Sequence, residues 1–251
     1  MELQAIRQAA KLFAEARATG VLLDELPESS RPRSAAEAYA IQLATIERMG
    51  DSIAGWKVAL SKEYELLIGA LVRSRIFADQ ATIASTELAM IGVEAEIAFR
   101  FDRALPPREQ PYDKVEVAGA VTAFPAIEIL DSRFRDYHGA SAIDRAADFM
   151  SNSAFVMGAP RYDWRSFDLA ALEARLVVDG AELVRTIGGH AAGDPLNPAL
   201  ALANKLRQST GIPAGHVVTT GTYTGLRFIG KNSAVKATFV GFGEVGCRFV
   251  P

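Results

Sequence analysis

IGVEAEIAFRF, residues 91–101, alternates strictly: Val93, Ala95, Ile97, Phe99 and Phe101 occupy one set of positions, and Glu94, Glu96 and Arg100 fall in the other. A period of two is the mark of a β-strand with one face against a core. Residues two apart in a strand project to the same side, so Glu94 and Glu96 share a face, with Cβ atoms roughly 6–7 Å apart. Side chains at that spacing can converge on one ion. Working outward, residues 125–130 read PAIEIL and place Glu128 between Ile127 and Ile129. A glutamate in such company is expected to be buried, and an unpaired buried carboxylate is costly. Three acids meeting would repel unless a cation sat among them. All-oxygen coordination suits Mg²⁺ or Mn²⁺ better than zinc. An E-x-E in a strand is equally what the solvated face of an edge strand looks like, and alternation alone leaves both readings open.

Further β-type runs follow on both sides: GWKVAL at 55–60, residues 118–134, ARLVVDGAELV at 174–184, HVVTTGTYTG at 216–225, AVKATFVGFG at 234–243 and VGCRFV at 245–250. Asp179-Gly180 between two apolar arms predicts a hairpin turn. Helical spacing is confined to three places. Leu3, Ile6, Ala10 and Phe13 make a stripe over residues 2–18. Ser34 is placed to cap a second helix over 35–50, with Glu37 completing a capping box and Gly50 as the stop. Residues 197–211, opening on Asn197 and ending at Gly211, predict a third. The expected class is α+β: a helical portion with the lysine strand over 1–85, and a β-rich core over 86–251, packed as one unit.

The 251 residues are 49% hydrophobic and 23% charged, with 27 basic and 30 acidic side chains for a net charge of −3. That balance fits a soluble globule and argues against disorder. No basic run is available to bind nucleic acid or an anionic membrane. The single cysteine, Cys247, cannot form an internal disulfide and reads as a small core residue. No stretch reaches the ~18 apolar residues of a membrane helix, and the first residues lack a signal-peptide core, so the expected location is cytoplasmic. The three histidines, His138, His190 and His216, have no metal-ligand spacing and read as loop or surface residues.

Five segments, in order, resemble one known family. GWKVALS (55–61) resembles G-Y-K-[IV]-G-L-T. IGVEAEIAFRF resembles G-[VI]-E-x-E-[IL]-A-F, and PAIEILDSRFRDY (125–137) resembles P-A-[IL]-E-[IL]-x-D-S-R. GDPLNPALALANKL (193–206) resembles G-x-P-x-x-A-x-x-W-L-A-N-x-L, and GHVVTTGTYTG (215–225) resembles G-D-x-[IV]-x-T-G-[ST]-x-T-G. The chain therefore looks like the 2-hydroxypentadienoate hydratase and 4-oxalocrotonate decarboxylase group of the fumarylacetoacetate hydrolase superfamily. The resemblance implies a mixed β-sheet roll and a Mg²⁺ or Mn²⁺ site held by Glu94, Glu96 and Glu128. It implies an active-site lysine at Lys57, a small 2-keto or 2-enol acid substrate from aromatic meta-cleavage, and a homo-oligomer. Ser61, Thr220, Thr222 and Asp148 become candidates for substrate binding. The expected reaction is hydration of a 2-hydroxy-2,4-dienoate to a 4-hydroxy-2-oxo acid. Decarboxylation of a 2-oxo-enedioate, and a keto-acid or protein binder without turnover, are the alternatives.

On the residues alone, Lys57 reads as a strand lysine that reaches solvent along a buried stem. Near a metal, a desolvated lysine is expected to have a lowered pKa. Arg133 and Asp131 read as structural. The chain departs from the family pattern at Ala59, at Phe149 within ADFMSNSA, and at Leu202. An acidic proton-transfer residue between Ser61 and Ile83 has no clear match, and Asp79 is the nearest candidate.

Overall fold

The computed structural model describes residues 1–61 and 65–251, with Ser61 and Glu65 described by backbone alone. In chain order the elements are α1 (Leu3–Thr19), α2 (Ala35–Met49), β1 (Ile53–Ser61), β2 (Glu65–Val72), β3 (Ile76–Ala78), β4 (Ala81–Ala84), β5 (Gly92–Phe101), α3 (Lys114–Ala120) and β6 (Val121–Leu130). Then come α4 (Ala142–Ala147), β7 (Asn152–Met157), β8 (Glu173–Val178), β9 (Ala181–Ile187), α5 (Leu196–Leu206), β10 (Val217–Thr222), β11 (Arg227–Phe228), β12 (Ala234–Phe239) and β13 (Gly243–Val250).

The strands form two mixed sheets. The larger runs β2-β1-β10-β5-β6-β7-β3, with β11 on the end of β5; the smaller runs β4-β13-β12-β8-β9. Val93, Ala95, Ile97 and Phe99 of β5 share one buried cluster with Leu176, Ala237, Phe239 and Phe249 of the smaller sheet. One face of the large sheet therefore packs on the small sheet, as the alternation requires. Its other face is met by the helical layer, where Phe13, Ile41, Leu67 and Ala146 form a second cluster. A division at residue 85 does not coincide with a break in the sheets, because β1 pairs with β10 and β4 pairs with β13.

Local signals account for several ends. The Ser34 side chain accepts from the Glu37 amide and Gly50, at φ 66°, closes α2. Glu37, however, reaches the Arg33 amide and the N-terminal ammonium rather than completing the box on Ser34. Asp179 and Gly180, at φ 50° and 83°, make the turn between β8 and β9. The run 118–134 is not all strand. Its first residues close α3, which Asp113 and Glu116 start with a reciprocal capping box.

Candidate active site

Five neighbouring strands, β1-β10-β5-β6-β7, carry the site across one face of the large sheet. Glu94 lies directly opposite Glu128 in the β5–β6 ladder, so the two must share a face. Glu96 follows two residues on. One oxygen from each of the three carboxylates lies within 4.8 Å of the others. Like charges opposite each other are destabilising, and here they are buried: Glu94 is 9% exposed, Glu96 1% and Glu128 0%. Lys57 is brought over them from β1. Its Nζ is 3.0 Å from Glu128 Oε1 and 3.5 Å from Glu94 Oε2. One ammonium against three carboxylates leaves the cluster two negative charges in excess.

The hydrogen bonds divide the Glu96 and Glu128 carboxylates each into a held side and a bare side. A register shift between Thr219 and Thr222 interrupts the β10–β5 ladder, and Gly221 there takes φ 109°. The irregularity turns two successive amides inward, and Thr220 N and Gly221 N donate to Glu96 Oε2 at 3.1 and 3.0 Å. The Thr219 hydroxyl donates to the same oxygen. Asn152 Nδ2 donates to Glu128 Oε1 at 2.9 Å. Glu96 Oε1 and Glu128 Oε2, both buried, have no partner among the described residues. Buried acceptors are normally satisfied, so two bare oxygens beside excess negative charge fit a divalent cation, with donors that are all carboxylate oxygen.

The titration of the cluster follows from the same facts. Burial, and then the charges of Glu128 and Glu94, push the Glu96 carboxyl well above its ordinary range. Burial also raises Glu94, against the attraction of Lys57. Burial works to lower the pKa of Lys57, but Glu128, Glu94 and Glu96 together outweigh it and raise the ammonium above its usual value.

The other predicted residues separate. Thr222 lines the cleft over the carboxylates, and its hydroxyl meets Ala95 O at 3.4 Å. The Thr220 hydroxyl is committed to Ile97 O at 2.8 Å, so only its amide faces the cluster. Asp148 is not brought to the site. Arg133 Nε reaches both its oxygens at 2.9 Å and Arg17 Nη2 takes one at 2.8 Å, which leaves it no free edge for substrate. The Ser61 side chain lies outside the described residues. Asp79 accepts from the Gly246 amide in the smaller sheet. Asn152 and Thr219 were not anticipated, and neither was buried His190. Its Nε2 lies 3.5 Å from where a Cβ on Gly221 would stand.

A cleft of about 340 Å³ opens over the cluster. Lys57, Glu94, Glu96, Gly221 and Thr222 form its floor, and Leu67, Leu130, Leu226 and Met150 supply apolar walls. Residues of α4 line one side. With this geometry in view, the similarities to known proteins are informative. The 2-keto-4-pentenoate hydratase of Burkholderia vietnamiensis is 30% identical over 256 residues, covering 97% of this chain and 97% of the relative. The chain belongs to this hydratase family. Another relative in the family's range, the 2-hydroxyhexa-2,4-dienoate hydratase of Comamonas testosteroni, is 27% identical over 249 residues, covering 93% of this chain and 92% of its own. No family model matches the chain. Among solved structures, the 4-oxalocrotonate decarboxylase from Pseudomonas putida G7, complexed with magnesium and adipate, superposes with a TM-score of 0.87. It does so at 22% identity, over 100% of this chain and 99% of that one. The fumarylpyruvate hydrolase from Pseudomonas aeruginosa, in complex with Mn²⁺ and pyruvate, gives 0.55 at 13% identity, over 78% of this chain and 88% of its own. These two likenesses show the fold. No helix of the described residues is long and apolar enough to cross a membrane.

Proposed function

We propose that the chain is a divalent-metal-dependent hydratase that adds water to a 2-hydroxy-2,4-dienoate and gives a 4-hydroxy-2-oxo acid. The observation that carries the reading is the triad of buried carboxylates on one face, with Glu96 and Glu128 each held by one oxygen and two negative charges in excess. Glu94, Glu96 and Glu128 would hold the cation, and Mg²⁺ or Mn²⁺ suits an all-carboxylate set. When bound, such a cation supplies positive charge to the 2-oxygen of the substrate as negative charge develops there.

The chain's own residues do the rest. Asn152 and the Thr219–Gly221 bulge orient Glu128 and Glu96 and keep their bare oxygens pointing one way. Lys57 offers Nζ to the substrate carboxylate and delivers the proton that converts enol to ketone. Thr222 and the Gly221 backbone lie where the same carboxylate would rest. The apolar walls keep bulk water from the conjugated chain, which strengthens every charge–charge contact within. We also take the whole chain to act as one catalytic unit and to assemble as a homo-oligomer. A single monomer mass by light scattering overturns the second point.

The test follows ultraviolet absorbance. With Mg²⁺ or Mn²⁺, 2-hydroxypentadienoate should lose its dienoate band, and chelation should stop the loss. An unchanged band with every divalent cation tried overturns the reading. Release of CO₂ from a 2-oxo-enedioate, with no loss of the dienoate, would assign the decarboxylase reaction to the site instead.

A further inference from the structure

The cleft carries two cationic side chains among its described lining residues, Lys57 and Arg145. Lys57 stands against Glu94 and Glu128, at the 2-oxo-acid end of the cleft. Arg145 stands on α4, between Ala142 and Ala146, which also line the cleft and leave room around it. Its described hydrogen bonds both come from Nη1 and both go to backbone carbonyls: Tyr137 O at 3.2 Å and Ala140 O at 2.6 Å. The guanidinium carbon lies 5.3 Å from the centre of the Tyr137 ring. These contacts fix the direction of the side chain. They leave Nε and Nη2 unengaged and the positive charge unmatched by any described carboxylate.

A half-buried guanidinium facing an apolar-walled cleft is costly without a counter-ion. Its planar fork is matched to a carboxylate, which it can grip by two parallel hydrogen bonds. The carboxylate and 2-oxygen of a 2-oxo acid would be met by Lys57 and by the cation that Glu94, Glu96 and Glu128 would hold. A second cationic side chain is superfluous for a substrate with a hydrocarbon tail. We propose that Arg145 is a specificity-determining residue that takes a second carboxylate, at the end of the substrate remote from its 2-oxo group. The preferred substrate class is then a dienoate diacid. The inference rests on the reading of this cleft as a 2-oxo-acid site, and it deepens that reading.

The test measures binding without turnover. In the presence of Mg²⁺, 2-oxoadipate and 2-oxohexanoate present the same chelating end and differ in the terminal carboxylate. Isothermal titration calorimetry should find the diacid bound about ten- to a hundredfold tighter by the wild-type protein, the range of a charge-assisted pair. In R145M the ratio of the two affinities should fall to about one, and R145K, which keeps a charge but not the fork, should retain part of it. Equal affinities in the wild type overturn the proposal, as does an R145M variant that weakens both acids by the same factor, because Arg145 would then act only by tethering residues 137–140. Failure to bind either acid overturns it together with the 2-oxo-acid reading. A chain that prefers the diacid yet hydrates no dienoate upholds this inference and sinks the hydratase assignment alone.

Discussion

Two buried ionic clusters sit side by side in this molecule, and they are built on opposite principles. In the first, Asp131 and Asp148 face Arg17 and Arg133, so charges balance. Asp148 receives Arg133 Nε, the Arg133 amide and Arg17 Nη2, and Asp131 receives the Met90 amide and Arg133 Nη1. In the second, three glutamates face one lysine, charges do not balance, and two oxygens are bare. The clusters share a residue: the Asn152 carbonyl accepts from Arg17 and Arg133, while its side chain donates to Glu128. A balanced buried network serves the fold, because removing one member strands the others. An unbalanced one is unfavourable as it stands and is completed by something that binds. Burial first, and then the unbalanced charges of Glu128 and Glu94, raise the Glu96 carboxyl.

Exchanging one carboxylate for its amide in each cluster should give opposite results. Glu96→Gln keeps an oxygen for the three donors at Thr219, Thr220 and Gly221 and removes a disfavoured charge. Hydration should drop by at least about a hundredfold, beyond what loss of an outer partner does to a metal site. Melting of the metal-free protein should stay at or above that of the wild type. Asp148→Asn should instead cost about 3–5 kcal/mol of stability, with or without Mg²⁺, since it leaves Arg133 and Arg17 buried without full compensation. Kinetics and thermal melts on the same preparations decide both. An active Glu96→Gln, or an Asp148→Asn that melts like the parent, breaks the contrast.

Metal addition sharpens it further. Mg²⁺ at roughly a hundred times its Kd should contribute about 2.7 kcal/mol, a rise in Tm of roughly 5–10 °C for a chain of this size. The same addition should leave Glu96→Gln unmoved, and Asp148→Asn should still respond. A rise of equal size in Glu96→Gln would show that the ion binds elsewhere.

How much of this was legible in the sequence follows the range of the interactions. The alternation around Glu94 and Glu96, and the apolar flanks of Glu128, are local, and they placed both strands with their faces correct. The Asp-Gly hairpin and the cap of α2 are local as well. α3 was hidden because its small apolar residues run straight into β6, although Asp113 and Glu116 carried a capping-box signal. Asp148 looked like a substrate ligand because its guanidinium partners come from Arg17, far off in sequence, and from Arg133. The acids that surround Lys57 come from two other strands, out of reach of any local pattern. Asn152 was the least legible. Phe149, Met150 and Ser151 hold left-handed φ values of 55°, 53° and 60° in succession. Such a run is strained for residues with side chains, and no pattern of residue types announces it. Yet it redirects the chain so that the amide of Asn152 meets Glu128.

Asn152→Ala probes the seam between the clusters and carries the smallest expected effect. The substitution keeps the backbone carbonyl that Arg17 and Arg133 use, so the balanced cluster should be intact. Glu128 Oε1 keeps Lys57 at 3.0 Å and loses one hydrogen bond, worth about 1 kcal/mol. What the glutamate loses is direction: without the amide its carboxylate can rotate and share its bare oxygen between orientations. Mg²⁺ affinity, read by titration calorimetry, should fall about tenfold, the lower range for an outer-shell partner, while metal-free melting shifts little. Should melting fall by several kcal/mol with Mg²⁺ affinity unchanged, Asn152 belongs to the balanced network, and the boundary between the two clusters has to be redrawn on the Glu128 side.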